Sequence, residues 1–174
     1  RRQRQMCIRD RYNHSDRDLT DYLIRLEKAI DNPSVKVVQC KTVEELVKAS
    51  EIICTTTPSK EPVLPNDREL LRGKCIIAIG SYTPDMREIP DAIWDLVERV
   101  YIELPYACEE SGDLSQPLAE GRLKKEQTVL MSDYLAEDPE EITDTGETTY
   151  FKSVGMGLFD VCIAQKILEM TKER

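Results

Sequence analysis

The chain holds one histidine, His14, and no Cys-x-x-Cys pair among its six cysteines. Zinc centres draw on clustered Cys and His ligands, so no metal site is expected. A triad built on imidazole would have to use His14. Acid–base work otherwise falls to carboxylates, Tyr, Lys or thiol. No apolar run approaches the ~20 residues that span a bilayer. No apolar segment follows the basic amino terminus, as a secretion signal requires. Positive charge is short too: 24 Lys and Arg face 33 Asp and Glu, a net charge of −9. That disfavours nucleic acid and anionic membranes as partners. Several of Cys7, Cys40, Cys54, Cys75, Cys108 and Cys162 sit inside apolar runs. Buried thiols kept reduced in the cytoplasm are the simplest reading.

Glycine is scarce as well, and its seven copies contain no Gly-x-Gly-x-x-Gly. The first strand and Gly-rich turn of a dinucleotide fold are therefore not in this chain. The only Gly-x-Gly is Gly155-Met156-Gly157, read as a strand-to-helix turn with exposed amides or as close helix–sheet packing.

What is present centres on two stretches. Cys75 to Ile79 is a short apolar run without polar alternation, which predicts a central strand buried on both faces of a parallel sheet. It stops at Gly80-Ser81, with Tyr82-Thr83-Pro84 following. Glu51 to Cys54 repeats the form and runs into Thr55-Thr56-Thr57-Pro58-Ser59. Small polar residues at the ends of neighbouring strands mark the carboxyl edge of an open α/β sheet, where ligands bind. Turn chemistry alone accounts for such residues one loop at a time. Together, the ends at Thr55 and Gly80 are expected to form adjoining walls of one cleft.

The remaining elements alternate. Arg1 to Arg11 has five arginines and no periodicity, and is set aside as a non-native or disordered leader (residues 1–11). Ser15 with Asp18 resembles a capping box, and Leu19, Tyr22, Leu23, Leu26 and Ile30 share a helical face that Asn32-Pro33 ends. Val35–Val38 reads as a strand. Thr42 with Glu45 caps a helix, and Asn66–Leu71 is a short helix ended by Gly73. Pro90-Asp91 opens a helix carrying Ile93, Trp94 and Val97, and Val100–Glu103 is a strand. Glu109–Gly121 is a loop with short helices, Leu123–Leu135 has no clear assignment, and the acidic 138–147 stretch is an exposed turn. Thr148–Lys152 is the last strand, with a helix after Gly157. The class is α/β, with a mostly parallel, Rossmann-like sheet flanked by helices. A Rossmann unit starting at its second strand would put Asn13, His14 and Ser15 where a ribose is read. Small polar residues there tolerate a 2′-phosphate and favour NADP, although capping explains them equally.

Four segments together resemble the ornithine cyclodeaminase/mu-crystallin family. The first is Ser50-Glu51-Ile52-Ile53-Cys54-Thr55-Thr56-Thr57-Pro58-Ser59 with Glu61-Pro62-Val63-Leu64. The second is Ile79-Gly80-Ser81 with Pro84, Arg87 and Glu88. The others are Glu110-Ser111-Gly112-Asp113-Leu114, and Thr149-Tyr150-Phe151-Lys152-Ser153-Val154-Gly155 with Asp160. The resemblance implies an NAD- or NADP-binding Rossmann domain over residues 12–157. It also implies that the helix at 158–174 returns toward a substrate and dimerisation domain, in a homodimer acting on a small amino or imino acid. It puts Thr55, Thr56, Thr57, Pro58, Gly80, Ser81, Lys152, Ser153 and Gly155 at the cofactor, with Asn13, His14 and Ser15 at the ribose. Members reduce a cyclic imine, convert ornithine to proline plus ammonia, or serve as non-catalytic crystallins. The family's catalytic Lys and carboxylate-binding Arg residues belong to an N-terminal part absent here. Cyclodeaminases carry Asp two residues past the Gly80 position, where this chain has Tyr82. A phenol, with unperturbed pKa ~10, is a poor base but can donate a proton. Tyr82 is the candidate catalytic residue, for imine reduction; the alternative is that it is only a wall residue. Arg87-Glu88 reads as a local ion pair, and Asp113 as a turn residue.

Overall fold

A computed structural model describes residues 8–11, 20–30, 35–136 and 146–172. Asn13, His14 and Ser15, the cap at Ser15 and the Asn32-Pro33 stop lie outside them, as does most of the acidic 138–147 stretch. The architecture is α/β, and every strand pairing is parallel.

Strands β1 (Ile8–Arg11) and β2 (Lys36–Gln39) form a two-stranded sheet, with α1 (Thr20–Ala29) between them in the chain. The stretch set aside as a leader therefore ends in a paired strand. After β2 come α2 (Val43–Ala49), β3 (Ile52–Thr55), α3 (Arg68–Leu71) and β4 (Cys75–Ala78). A 3₁₀ turn (Asp91–Asp95) leads to β5 (Val100–Ile102), α4 (Ala107–Glu110) and α5 (Gly112–Ala119). Then follow β6 (Thr128–Leu130), α6 (Met131–Ala136), β7 (Thr149–Lys152) and α7 (Gly157–Lys172). The second sheet has the order β3-β4-β7-β5-β6.

Local chemistry sets the boundaries. The Thr42 hydroxyl accepts from Glu45 N at 3.1 Å, and the Glu45 carboxylate accepts from Lys41 N at 2.8 Å, which opens α2. Asp67 caps α3 by accepting from Glu69 N and Leu70 N. Gly73 follows with φ +70°, a left-handed turn that glycine enters without strain. Segment 123–135 had no clear period because it splits into a 3₁₀ turn, a three-residue strand and a short helix.

The core fills one side of the second sheet. Ile53 of β3, Ile76 and Ala78 of β4, Val100 and Ile102 of β5 and Tyr150 of β7 pack with Leu71, Ile89, Ile93 and Leu114. Trp94 meets Tyr150 edge to face, with ring centroids 5.7 Å apart and planes at 76°. Burial on both faces, expected for the two central runs, does not hold. β4 alternates half-buried Cys75 and Ile77 with buried Ile76 and Ala78. In β3, Ile53 and Thr55 are buried while Ile52 is 55% exposed and Cys54 is exposed. The continuous apolar pattern reflects a second face that no described element covers at Ile52. Helix α7 is similarly bare, with Leu158, Phe159, Val161, Ile163, Ile167, Leu168 and Met170 all exposed.

Ile76 has no exposed surface and lies on a strand paired on both sides. Ile76→Ala in the whole protein should cost about 2–5 kcal/mol. A lower urea midpoint with an unchanged slope is the expected result.

Candidate functional site

β3 and β4 are neighbours in register, and Ile79 N donates to Thr55 O at 2.9 Å where they end. The two tips therefore share one carboxyl edge. The space between them, expected to be a cleft, is closed by the side chain of Glu88.

Glu88 has no exposed surface. One carboxylate oxygen accepts from the Thr55 hydroxyl at 2.9 Å and Gly80 N at 2.8 Å. The other accepts from Thr57 N at 2.5 Å and the Thr57 hydroxyl at 2.8 Å. A carboxylate has acceptor sites for all four donors. A Cβ on residue 80 would stand 2.2 Å from both Thr57 N and Thr57 O and 2.6 Å from the Glu88 carboxylate. Glycine at 80 is what lets the loop lie on the strand tip.

The network continues inward. Asp113, at the start of α5, accepts from Glu88 N at 2.6 Å and Ile89 N at 3.0 Å through one oxygen. Its other oxygen is 3.2 Å from Lys152 Nζ, with both side chains fully buried. That approach lacks the alignment of a regular hydrogen bond. Burial raises the Asp113 pKa above the ordinary carboxylate value, while the Lys152 charge and the two backbone amides pull it back. Burial lowers the Lys152 pKa, and the Asp113 charge opposes that shift. Nearby on β7, burial holds the Tyr150 phenol well above its usual pKa, reinforced by the Asp113 and Glu88 charges. Tyr150 is thus a neutral hydroxyl.

The expected site residues divide by direction. The hydroxyls of Thr55 and Thr57 and the amides of Thr57 and Gly80 point inward to Glu88. Ser81 is fully buried; its hydroxyl donates to Met86 O at 2.7 Å and lies 2.8 Å from the Ser111 hydroxyl. Lys152, expected at the cofactor, has its ammonium in the interior against Asp113, so its side chain offers nothing to a ligand at the rim. The exposed amides expected at Gly155 are also corrected, because Val154 N and Gly155 N donate to the buried Glu103 carboxylate at 2.7 and 2.6 Å. Ser153 is half-buried, and its hydroxyl accepts from Gly155 N at 3.3 Å. Thr56, Pro58 and Tyr82 remain outward, Tyr82 at 54% exposure.

Sequence reasoning set Glu88 and Asp113 aside and did not weigh Glu103. Arg87 pairs with Asp91 and donates to Ile89 O at 3.1 Å, while the adjacent Glu88 turns the opposite way into the core. The available signal was Glu88 standing directly before the apolar pair Ile89-Pro90.

The loop 82–87 is held as a unit. Gly112 N donates to Thr83 O at 3.0 Å, Gln116 Nε2 to Pro84 O at 2.9 Å, and Arg87 N to Ser59 O at 2.8 Å. A Cβ on residue 112 would strike Met86 O at 2.2 Å. Among the described residues no group of three His, Cys, Asp or Glu could hold a metal ion. Burial, then the Glu88 charge, raises the Cys54 pKa, which makes a poor nucleophile of that thiol. Thr56 and Pro58 are small enough to lie along one flank of a nicotinamide nucleotide, and the space around Gly155 is open. They provide no pyrophosphate cradle of helix N-terminal amides.

A parallel α/β sheet with a polar, internally braced carboxyl edge defines a nucleotide-fold protein of the Rossmann type. Residues 12–174 match the sequence model of the ornithine cyclodeaminase/mu-crystallin family, and the chain belongs to that family. It is 31% identical over 137 residues to a Bacillus cereus Delta(1)-pyrroline-2-carboxylate reductase, covering 75% of this chain and 40% of that protein. It is 25% identical to a solved probable ornithine cyclodeaminase from Bordetella pertussis, with TM-score 0.73, covering 89% of this chain and 48% of the other. The Thermococcus litoralis Delta(1)-pyrroline-2-carboxylate reductase, solved with NADH and L-proline, superposes with TM-score 0.79 at 19% identity. That superposition covers 95% of this chain and 50% of the other, and shows the fold. The chain thus spans about half the length of these proteins or less.

Lys152→Met should leave Asp113 buried with no counter-charge, at a cost of about 3–5 kcal/mol near neutral pH. In that variant the folded-state pKa of Asp113 lies above its unfolded value of roughly 3.9. Its contribution to stability is then complete below the unfolded pKa and is lost as pH rises through the folded pKa. The deficit against wild type should therefore widen from acid toward neutral pH, measured by urea melts across that range.

Proposed function

We propose that this chain is the NAD(P)-binding part of an enzyme that reduces a cyclic imino acid of the 1-pyrroline-2-carboxylate type to the L-amino acid. The observation that carries this is Tyr82, an exposed phenol two residues beyond Gly80, in a chain 31% identical to a named pyrroline-2-carboxylate reductase. When bound, a reduced nicotinamide supplies hydride to the imine carbon. Tyr82 supplies the proton that the ring nitrogen takes up, a task a neutral phenol can perform and a carboxylate cannot. Thr56 and Pro58 line the cofactor side, with the backbone of Ser153 and Gly155 toward the nicotinamide end. Asn13, His14 and Ser15 are proposed at the ribose, where small polar residues suit NADP.

The order of the strands supports a dinucleotide fold. A Rossmann sheet runs 3-2-1-4-5-6. Here β2-β1 and β3-β4 stand where the 3-2 and 4-5 pairs would, and β3 has no partner on its outer side among the described residues. The first strand and its Gly-rich turn are proposed to come from another part of the whole protein and to enter between β1 and β3. The bare apolar surface of α7 suits contact with a substrate and dimerisation domain, since a helix apolar on most sides is normally buried. A homodimer in the cytoplasm fits that surface and the thiols of Cys54, Cys75, Cys108 and Cys162, which are free.

Ornithine cyclodeamination is the second reading, favoured by the 25% identity to the probable cyclodeaminase. Whole protein given a cyclic imine and NADPH or NADH should consume the nicotinamide absorbance. Ammonia release from ornithine with catalytic NAD would favour the second reading. Binding of cofactor with neither activity would leave a crystallin-like role. Tyr82→Phe should slow reduction by about 10²–10⁴-fold with cofactor affinity retained; an unchanged rate removes Tyr82 from the mechanism.

A further inference from the structure

We propose that Glu88 is a positioning residue: its buried carboxylate fixes the Thr57 loop against the Gly80 turn and so sets the surface that receives the cofactor. This rests on the reading of the site as nucleotide-binding. The Thr55, Thr57 and Gly80 donors meet on one side chain 33, 31 and 8 residues away in sequence. The outward neighbours of those donors, Thr56, Pro58 and Tyr82, therefore take their mutual placement from Glu88. The carboxylate is itself held, because Glu88 N and Ile89 N are fixed by Asp113.

The hydrogen-bond inventory makes the requirement specific. Each carboxylate oxygen receives one backbone N–H, from Thr57 or from Gly80. A backbone N–H can only donate. Glutamine at 88 would present its NH₂ to one of them in either flip, so no orientation satisfies both loops. Aspartate keeps the charge but lacks the reach of one methylene.

The test compares the whole wild-type protein with Glu88→Gln, Thr55→Val and Val47→Ala, titrated with NADPH and NADH by fluorescence, alongside urea melts. Val47 is fully buried on α2 and has no polar side-chain atom to join the Glu88 network, and it controls for loss of stability alone. Glu88→Gln should weaken cofactor binding about tenfold, the effect of one lost charge-assisted hydrogen bond. The Thr55 hydroxyl is buried against Glu88, so Thr55→Val reaches the cofactor only through that carboxylate. It should weaken binding by about threefold, as the loss of a weaker bond. Val47→Ala should melt earlier with wild-type affinity. Wild-type affinity in folded Glu88→Gln overturns the positioning role and leaves the nucleotide reading intact. If Glu88→Gln yields no folded protein, Thr55→Val decides by the same criterion. A wild-type protein that binds neither nucleotide overturns the site reading, and the positioning role with it.

Discussion

One buried carboxylate holds the carboxyl edge of this sheet together. Burying a charge is costly unless it is fully hydrogen-bonded. Glu88 meets that condition with two threonine hydroxyls and two backbone amides, all as donors. It also imposes the absence of a side chain at Gly80, where a Cβ would overlap Thr57. Asp113 and Lys152 carry the connection through to β7, so the ends of three adjacent strands are tied by charge as well as by the ladder. At Glu88 both carboxylate oxygens are satisfied, and a satisfied interior polar group of this kind rigidifies the structure around it.

The opposite character appears away from that edge. The outer side of β3 has no partner among the described residues, and Ile52 and most apolar residues of α7 are open. A family member whose relatives are about twice as long presents such surfaces where the remainder of the fold would pack. The two features are complementary. The braced edge needs no help to keep its geometry, whereas the bare surfaces gain stability only when covered.

Much of the fold was legible because its signals are local. Ile52–Thr55 and Cys75–Ala78 are short apolar runs bounded by turn residues, and the cap at Thr42 acts within three residues. The strand tips were legible in position, but the direction of their polar atoms was not. Thr55, Thr57, Gly80 and Ser81 do stand at the strand tips, yet their polar atoms serve the interior. That could not be read from the chain, because the partner that turns Thr55 inward is 33 residues away, and the one that fixes Glu88 is 25. Arg87-Glu88 looked like a local pair because neighbouring opposite charges usually are. The backbone at that point sends the two side chains to opposite sides, one to Asp91 and one to the core.

That inward orientation constrains what the edge can contribute to chemistry. The donors of Thr55, Thr57 and Gly80 are engaged by Glu88, so under the proposed function recognition of a nucleotide here falls to shape, to outward Thr56 and Pro58, and to the phenol of Tyr82. Charge on a pyrophosphate is met most effectively by free amides at a helix N-terminus. Of the amides after β7, those of Val154 and Gly155 are held by Glu103. What this segment supplies is a preorganised floor. Preorganisation favours catalysis when the supporting shell is rigid before substrate arrives. A carboxylate with four donors and two buried neighbours in an ion pair meets that condition without any contribution from the ligand.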